Sequence, residues 1–247
     1  MIETVREGPR LDVILNNPAR LNAMTEETWQ ALAQVGREIP DEVRVVVLRA
    51  NGRSFSSGLD TKVFAGKARP DLAALLADTD GEIQNAIKGF QDAFTWWRQS
   101  HAITIAAVQG DAIGAGFQLA LACDFRIAAD DARFSLRETS LGLVPDLAGT
   151  KPLVELVGYS RALEIALLGA PVDSARAIQI GLVNLVAPVG ELLETVDTFV
   201  ADLLALPEPS VKATKRLILG APSNGFEAQE LAERREQSKL LRLLLGH

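Results

Sequence analysis

The sequence predicts an α/β fold with a partly internal parallel sheet and a helical C-terminal end. Three observations carry this. Short β-branched runs stand at residues 11–15 and 43–48 with helical sequence between them; strand, helix and strand recur at 103–108, 115–122 and 125–128; and after a last strand at 183–187 helix follows helix.

The run at 43–48 is almost continuously apolar, as a strand covered on both faces should be. Thr25-Glu26-Glu27 opens the intervening helix with a hydroxyl and two acids at the positive dipole end, and Pro40 closes it. Joining parallel strands requires such a crossover. Residues 70–99 read as mostly helical, weakened at Gly81 and Gly89, and are expected to border the functional site. The C-terminal helices are predicted at 191–206, 210–219 and 226–245, so the chain divides into a core, 1–188, and a helical segment, 189–247. Leu231, Leu240, Leu241, Leu243, Leu244 and Leu245 make the last helix too apolar for a free surface, so it packs either on another subunit or on its own chain.

Composition removes several classes of function. A net charge of −7 and 5% aromatic residues give neither a basic field nor a stacking platform for nucleic acid. One cysteine, Cys123, cannot form an internal disulfide, and two histidines, His101 and His247, offer little to a metal. The N-terminus carries acids and no apolar signal region, and the most apolar stretch, 102–123, is broken by Gln109, Asp111, Gln118 and glycines. A metal-free cytoplasmic protein, neither secreted nor membrane-spanning, is expected. Acidity also disfavours a polyanionic ligand unless basic groups are placed locally.

Two glycine-bearing loops follow buried strands. In Asn51-Gly52-Arg53-Ser54-Phe55-Ser56-Ser57-Gly58-Leu59-Asp60, Gly58 can turn the next amide, on Leu59, outward as a donor; alternatively the loop is only a turn. In Gln109-Gly110-Asp111-Ala112-Ile113-Gly114-Ala115-Gly116-Phe117-Gln118 the loop opens a helix, whose free amides suit a phosphate or an oxyanion. Leu119 stands where a dinucleotide fingerprint needs its third glycine, and no Gly-Lys-Ser/Thr ending is present, so nucleotide phosphate is the weaker alternative. Two such loops can converge two backbone donors on one developing negative charge.

The segment 54–60 resembles the first oxyanion loop of the enoyl-CoA hydratase/isomerase (crotonase) superfamily, and 108–124 its second loop and helix. Asn17-Pro18-Ala19-Arg20-Leu21-Asn22-Ala23-Met24 resembles the segment bordering the coenzyme A site, and Leu141-Gly142-Leu143-Val144-Pro145-Asp146 the loop closing the acyl pocket. The likeness runs in order from about residue 11 to 190. It implies a crotonase-like spiral of ββα units with a C-terminal helical region, assembled as a homotrimer or a dimer of trimers. It also implies an acyl-CoA thioester substrate, with no cofactor beyond the coenzyme A that the substrate carries. The oxyanion donors would be the amides of Leu59 and Ala115. Leu59, Asp60, Thr61 and Lys62 would line the coenzyme A path with Ala23 nearby.

Hydratases of the superfamily generally use two glutamates. Here the first position is Gln118, whose amide has no useful acid or base capacity, and the second is Glu138. One carboxylate suffices to move a proton between C2 and C4 of an enoyl thioester, so double-bond isomerisation is the leading expectation. Hydration and non-catalytic acyl-CoA binding are the alternatives. Outside the resemblance, Glu138 would read as a surface partner of Arg133 or Arg137. Asp146 is either a second active carboxylate, as at the similar position in some relatives, or the N-cap of a helix at 147–157. Asp124 reads as a structural turn residue and His101 as a core or interface polar group. Phe64, residues 70–99, Trp96 and Trp97 are expected to shape the acyl pocket.

Overall fold

The computed structural model describes residues 2–63, 66, 70 and 79–246. Phe64 and most of 70–79, expected to shape the pocket, therefore lie outside the described residues.

Strands β1 (Ile2–Glu7), β2 (Arg10–Leu15), β3 (Val45–Ala50) and β4 (Ile103–Val108) pair in sequence order, followed by β6 (Phe125–Ala129) and β9 (Leu185–Ala187). Only the β1–β2 pair is antiparallel in this six-stranded sheet. Helix α1 (Glu26–Arg37) crosses from β2 to β3, and α2 (Asp80–Gln99) precedes β4. β1 was not expected from sequence: it lies at the sheet edge with its charged side chains exposed, so no apolar periodicity marks it.

The continuous run of valines in β3 has a direct cause. Val46 and Leu48 point to one core and Val45 and Val47 to another, because side chains alternate across the sheet. The first core lies under α1, α2 and the fully buried α3 (Ala115–Ala122). The second is closed by α7 (Leu192–Ala205), through Leu192, Val196 and Val200.

A small second sheet of β5 (Asp111–Ile113), β7 (Arg133–Ser135) and β8 (Val172–Asp173) stands beside α3. After β7 come α4 (Thr150–Val157), α5 (Tyr159–Leu168) and α6 (Ser174–Gln179). The chain ends in α8 (Glu208–Gly220) and α9 (Phe226–Leu245). Asp124 joins α8 to the sheet: one carboxylate oxygen accepts from the Thr104 N–H at 2.8 Å, the Thr104 hydroxyl at 3.0 Å and Lys215 Nζ at 2.6 Å. Burial lowers the Lys215 pKa, opposed by this contact with Asp124. Among the described residues no helix is long and apolar enough to cross a membrane.

The tryptophans depart from expectation. Trp97 is fully buried, stacked on Trp96 at 3.9 Å between ring centres, and its indole N–H donates to Ala93 O within α2. Trp96 donates to Leu32 O of α1, over Gly36, where a Cβ would meet the ring at 2.4 Å. Trp96 therefore binds α1 to α2 and Trp97 backs it within the core, packing roles that their aromatic character alone did not distinguish from pocket lining.

Candidate active site

Backbone pairing brings the two glycine loops together. Ser56 N–H donates to Asp111 O at 2.9 Å and Ile113 N–H to Ser56 O at 2.9 Å, so the first loop pairs with β5. A Cβ on Gly58 would lie 2.5 Å from Ile113 O and 3.5 Å from Ala115 N, and Gly58 has φ +84°. Glycine is required there by both space and conformation.

Leu59 forms a bridge to Met24 in which Met24 N–H donates to Gly58 O and Asp60 N–H to Met24 O, both at 2.8 Å. The Leu59 amide takes no part in that bridge. Ala115 is the first residue of α3, where an amide has no carbonyl one turn earlier within the helix. Gly114 before it adopts φ +50°, ψ −117°, a backbone region reserved for glycine. The two amides named from sequence thus belong to segments in contact.

Around the first loop, Asn22 at φ +52° donates to Asn51 O and Ser54 O, both at 2.9 Å, and Ser56 Oγ donates to Asn22 O. Ala23 is buried beside this network. Asp60 is buried, pairing with Arg20 at 2.9 Å and accepting from Lys62 N–H at 3.0 Å, so its carboxylate is committed to holding the loop. Thr61 and Lys62 are exposed.

Glu138 is placed against the start of α3. A Cβ on Gly114 would sit 3.4 Å from Glu138 Oε1, and Gln118 Nε2 donates to that oxygen at 2.7 Å. Glu138 Oε2 is buried and has no hydrogen-bond partner among the described residues. Burial pushes the Glu138 carboxyl above the usual range, against backbone amides and Gln118, which favour its charge. It is no surface partner of arginine: Arg133 pairs with Asp111 and Arg137 turns to Gly169 O.

Gln118 is buried in α3, and its Oε1 accepts from the N–H groups of Leu147 at 3.0 Å and Gly149 at 3.3 Å. These contacts settle the amide's orientation, since a flip would set N–H against N–H and oxygen against carboxylate. A Cβ on Gly149 would lie 2.7 Å from Gln118 Cγ, so the loop fits directly over this side chain.

Asp146 corrects the capping expectation. α4 begins at Thr150 with Gly149 at its N-cap, three residues later than a 147–157 helix requires. Ala148 holds φ +63°, which interrupts any helix begun at 147. Asp146 is instead half-buried and its pKa is raised by that burial; its charge also contributes to raising that of Glu138. One residue of this arrangement escaped sequence reasoning. Gln91 of α2 donates through Nε2 to Asp146 O at 2.6 Å, across 55 residues, and no local pattern announces such a contact.

Among the described residues no group of three or more His, Cys, Asp or Glu could hold a metal. Two backbone donors at adjoining loops, with a carboxylate beside one of them, form a site suited to generating and stabilising an enolate.

Comparison with known proteins places the chain in a family. Residues 11–241 match the family model for enoyl-CoA hydratase/isomerase, and the chain belongs to that family of acyl-CoA enzymes. A Mycobacterium bovis protein named "Probable enoyl-CoA hydratase" is 35% identical over 236 residues, covering 92% of this chain and 81% of that protein. Two crystal structures from Thermobifida fusca carry the enoyl-CoA hydratase name. One, with CoA, is 41% identical over 100% of this chain and 95% of that one, TM-score 0.91. The other, with acetoacetyl-CoA, is 42% identical over 97% and 94%, TM-score 0.91.

Proposed function

We propose that the protein isomerises an enoyl-CoA, moving a double bond from C3–C4 to C2–C3, with Glu138 as the single acid/base. Glu138 Oε2 takes a proton from C2 of a 3-enoyl thioester as the electrons move to the thioester oxygen. The amides of Leu59 and Ala115 hold the resulting dienolate oxygen. Glu138 then returns the same proton at C4, so no co-reactant is consumed. The observation that carries this reading is the buried Oε2 of Glu138, unpartnered among the described residues, beside an amide, Gln118, where a second acid/base would be needed for conventional water addition. The acyl-CoA ligand is supported by the coenzyme A and acetoacetyl-CoA in the Thermobifida fusca structures. Its coenzyme A portion would run past Ala23 and along 59–62, with exposed Lys62 supplying local positive charge.

Asp146 favours a second reading, hydration of a 2-enoyl-CoA, because it is another half-buried carboxyl with a raised pKa. Incubation with 2-enoyl- and 3-enoyl-CoA substrates, with products identified by mass and double-bond position, separates the two. Addition of 18 Da to the 2-enoyl substrate without migration in the 3-enoyl substrate refutes isomerisation.

We further propose a homotrimer or dimer of trimers, assembled through the C-terminal helices. Helix α9 buries none of its residues and exposes Leu241, Leu243, Leu244 and Leu245. Light scattering giving a monomer at micromolar concentration would remove this proposal.

A further inference from the structure

The hydrogen bonds of Gln91 and Gln118 run in one direction. Gln91 Nε2 holds the carbonyl of Asp146 at 2.6 Å, and the next residues of the same loop present the N–H groups of Leu147 and Gly149 to Gln118 Oε1. Gln118 Nε2 then faces Glu138 Oε1 at 2.7 Å. Between the two glutamines lies Ala148, at a positive φ that non-glycine residues rarely hold without surrounding support. Each contact constrains the next: without Gln91 the loop is free to shift, and without the loop's two N–H groups the Gln118 amide is free to turn.

We propose that Gln91 and Gln118 form a two-amide relay that positions Glu138, engaging Oε1 so that Oε2 alone moves the proton. Gln118 is then a positioning residue. A carboxylate has two chemically equal oxygens, and a base that must take a proton at C2 and return it at C4 benefits from presenting one of them in a fixed place. A donor locked onto the other achieves this. A glutamate at 118 cannot do the same: one oxygen would still accept from Leu147 and Gly149, while the other would meet Glu138 Oε1 with no hydrogen between them unless one carboxyl is protonated. The charged group on the loop that acts on Glu138 is Asp146; the neighbouring Arg137 guanidinium is turned to Gly169 O.

The relay rests on the isomerase reading for its role, but its geometry can be tested without turnover. The Glu138 carboxyl is titrated by 13C NMR in otherwise intact protein, with the resonance assigned by Glu138→Gln. Gln118→Glu should raise the Glu138 midpoint by about one pH unit or more, as two carboxyls sharing a site do. Gln91→Leu should raise it by a smaller amount, because the Gln118 donor is loosened. Gln91→Leu should also lower kcat about tenfold with KM within about twofold, since misplacing a base by a fraction of an ångström reduces the reactive population. A packing role alone would lower Tm and leave midpoint and kcat in place. An unchanged midpoint and kcat in folded Gln91→Leu overturns the relay, and that variant decides alone if Gln118→Glu does not fold. If the midpoints move but wild type neither isomerises nor hydrates enoyl-CoA, the functional reading fails and the relay stands.

Discussion

The oxyanion side and the proton-transfer side of this site are built by opposite means. On the first, the groups proposed to work are main-chain amides, and their placement follows from Gly58 at φ +84°, Gly114 at φ +50° and the pairing of Ser56 with β5. On the second, the proposed acid/base is one side chain, Glu138, held in a network that draws on α2, α3 and the 146–149 loop. A backbone donor survives a change of side chain, whereas the proposed proton transfer depends on side-chain identity at Glu138, Gln118 and Gln91.

That contrast is tested most strongly at Glu138. Glu138→Gln should lower kcat by about a hundred- to ten-thousand-fold, the usual worth of a general acid/base, while acyl-CoA affinity measured by calorimetry stays within a few-fold. Near-wild-type kcat would transfer the chemistry to Asp146. On the other side, Ala115→Pro deletes the donor at a helix position that accepts proline. It should cost about 3 kcal/mol of transition-state stabilisation, read from kcat/KM in protein shown by circular dichroism to be folded. Ala115→Gly, which keeps the amide, should be nearly silent, and a large loss there would make the side chain matter on the side where it should not.

A single methyl can disturb both sides together. Gly114→Ala forces alanine into a conformation worth about 1–3 kcal/mol of strain and puts its Cβ 3.4 Å from Glu138 Oε1. Denaturant unfolding should report the strain, and a shifted pH–kcat profile the disturbance of Glu138. The smallest effect concerns stability. The folded-state pKa of Glu138 is raised, so its contribution to stability is fully present below the unfolded pKa and is lost as pH rises through the folded value. Glu138→Gln should therefore raise Tm by a few degrees at pH 8, with the gain shrinking toward pH 4. A lower Tm at pH 8, with the deficit shrinking toward pH 4, would mean that the ionised carboxylate stabilises the fold. By the same raised pKa, the basic form of Glu138 is depleted as pH falls, and kcat should drop on the acid side at a pH above an ordinary glutamate's.

Much of the frame was legible in the sequence because its signals are local. The run at 43–48 announced a strand with two covered faces, Gly58 marked where the backbone needs a conformation closed to other residues, and 115–122 and 226–245 coincide with helices. Their causes lie within a few residues of one another. β1 was missed because an edge strand buries too little to show a pattern, and the packing of Trp96 and Trp97 was not legible because a large apolar ring suits a helix contact and a pocket wall equally well.

What the sequence by itself determined was the order of five strands of the main sheet and the helices between them, and the two glycine loops that follow buried strands; the resemblance added Glu138 and the non-titratable residue at 118. Only the tertiary structure decided that Gln118 is locked between a loop and Glu138, that Asp146 begins no helix, and that Gln91 reaches the same loop from α2. The reason is physical. A turn or a helix start depends on backbone torsions set by adjacent residues, whereas the partner of a buried amide and the charge of a buried carboxyl depend on which distant segments exclude water from them.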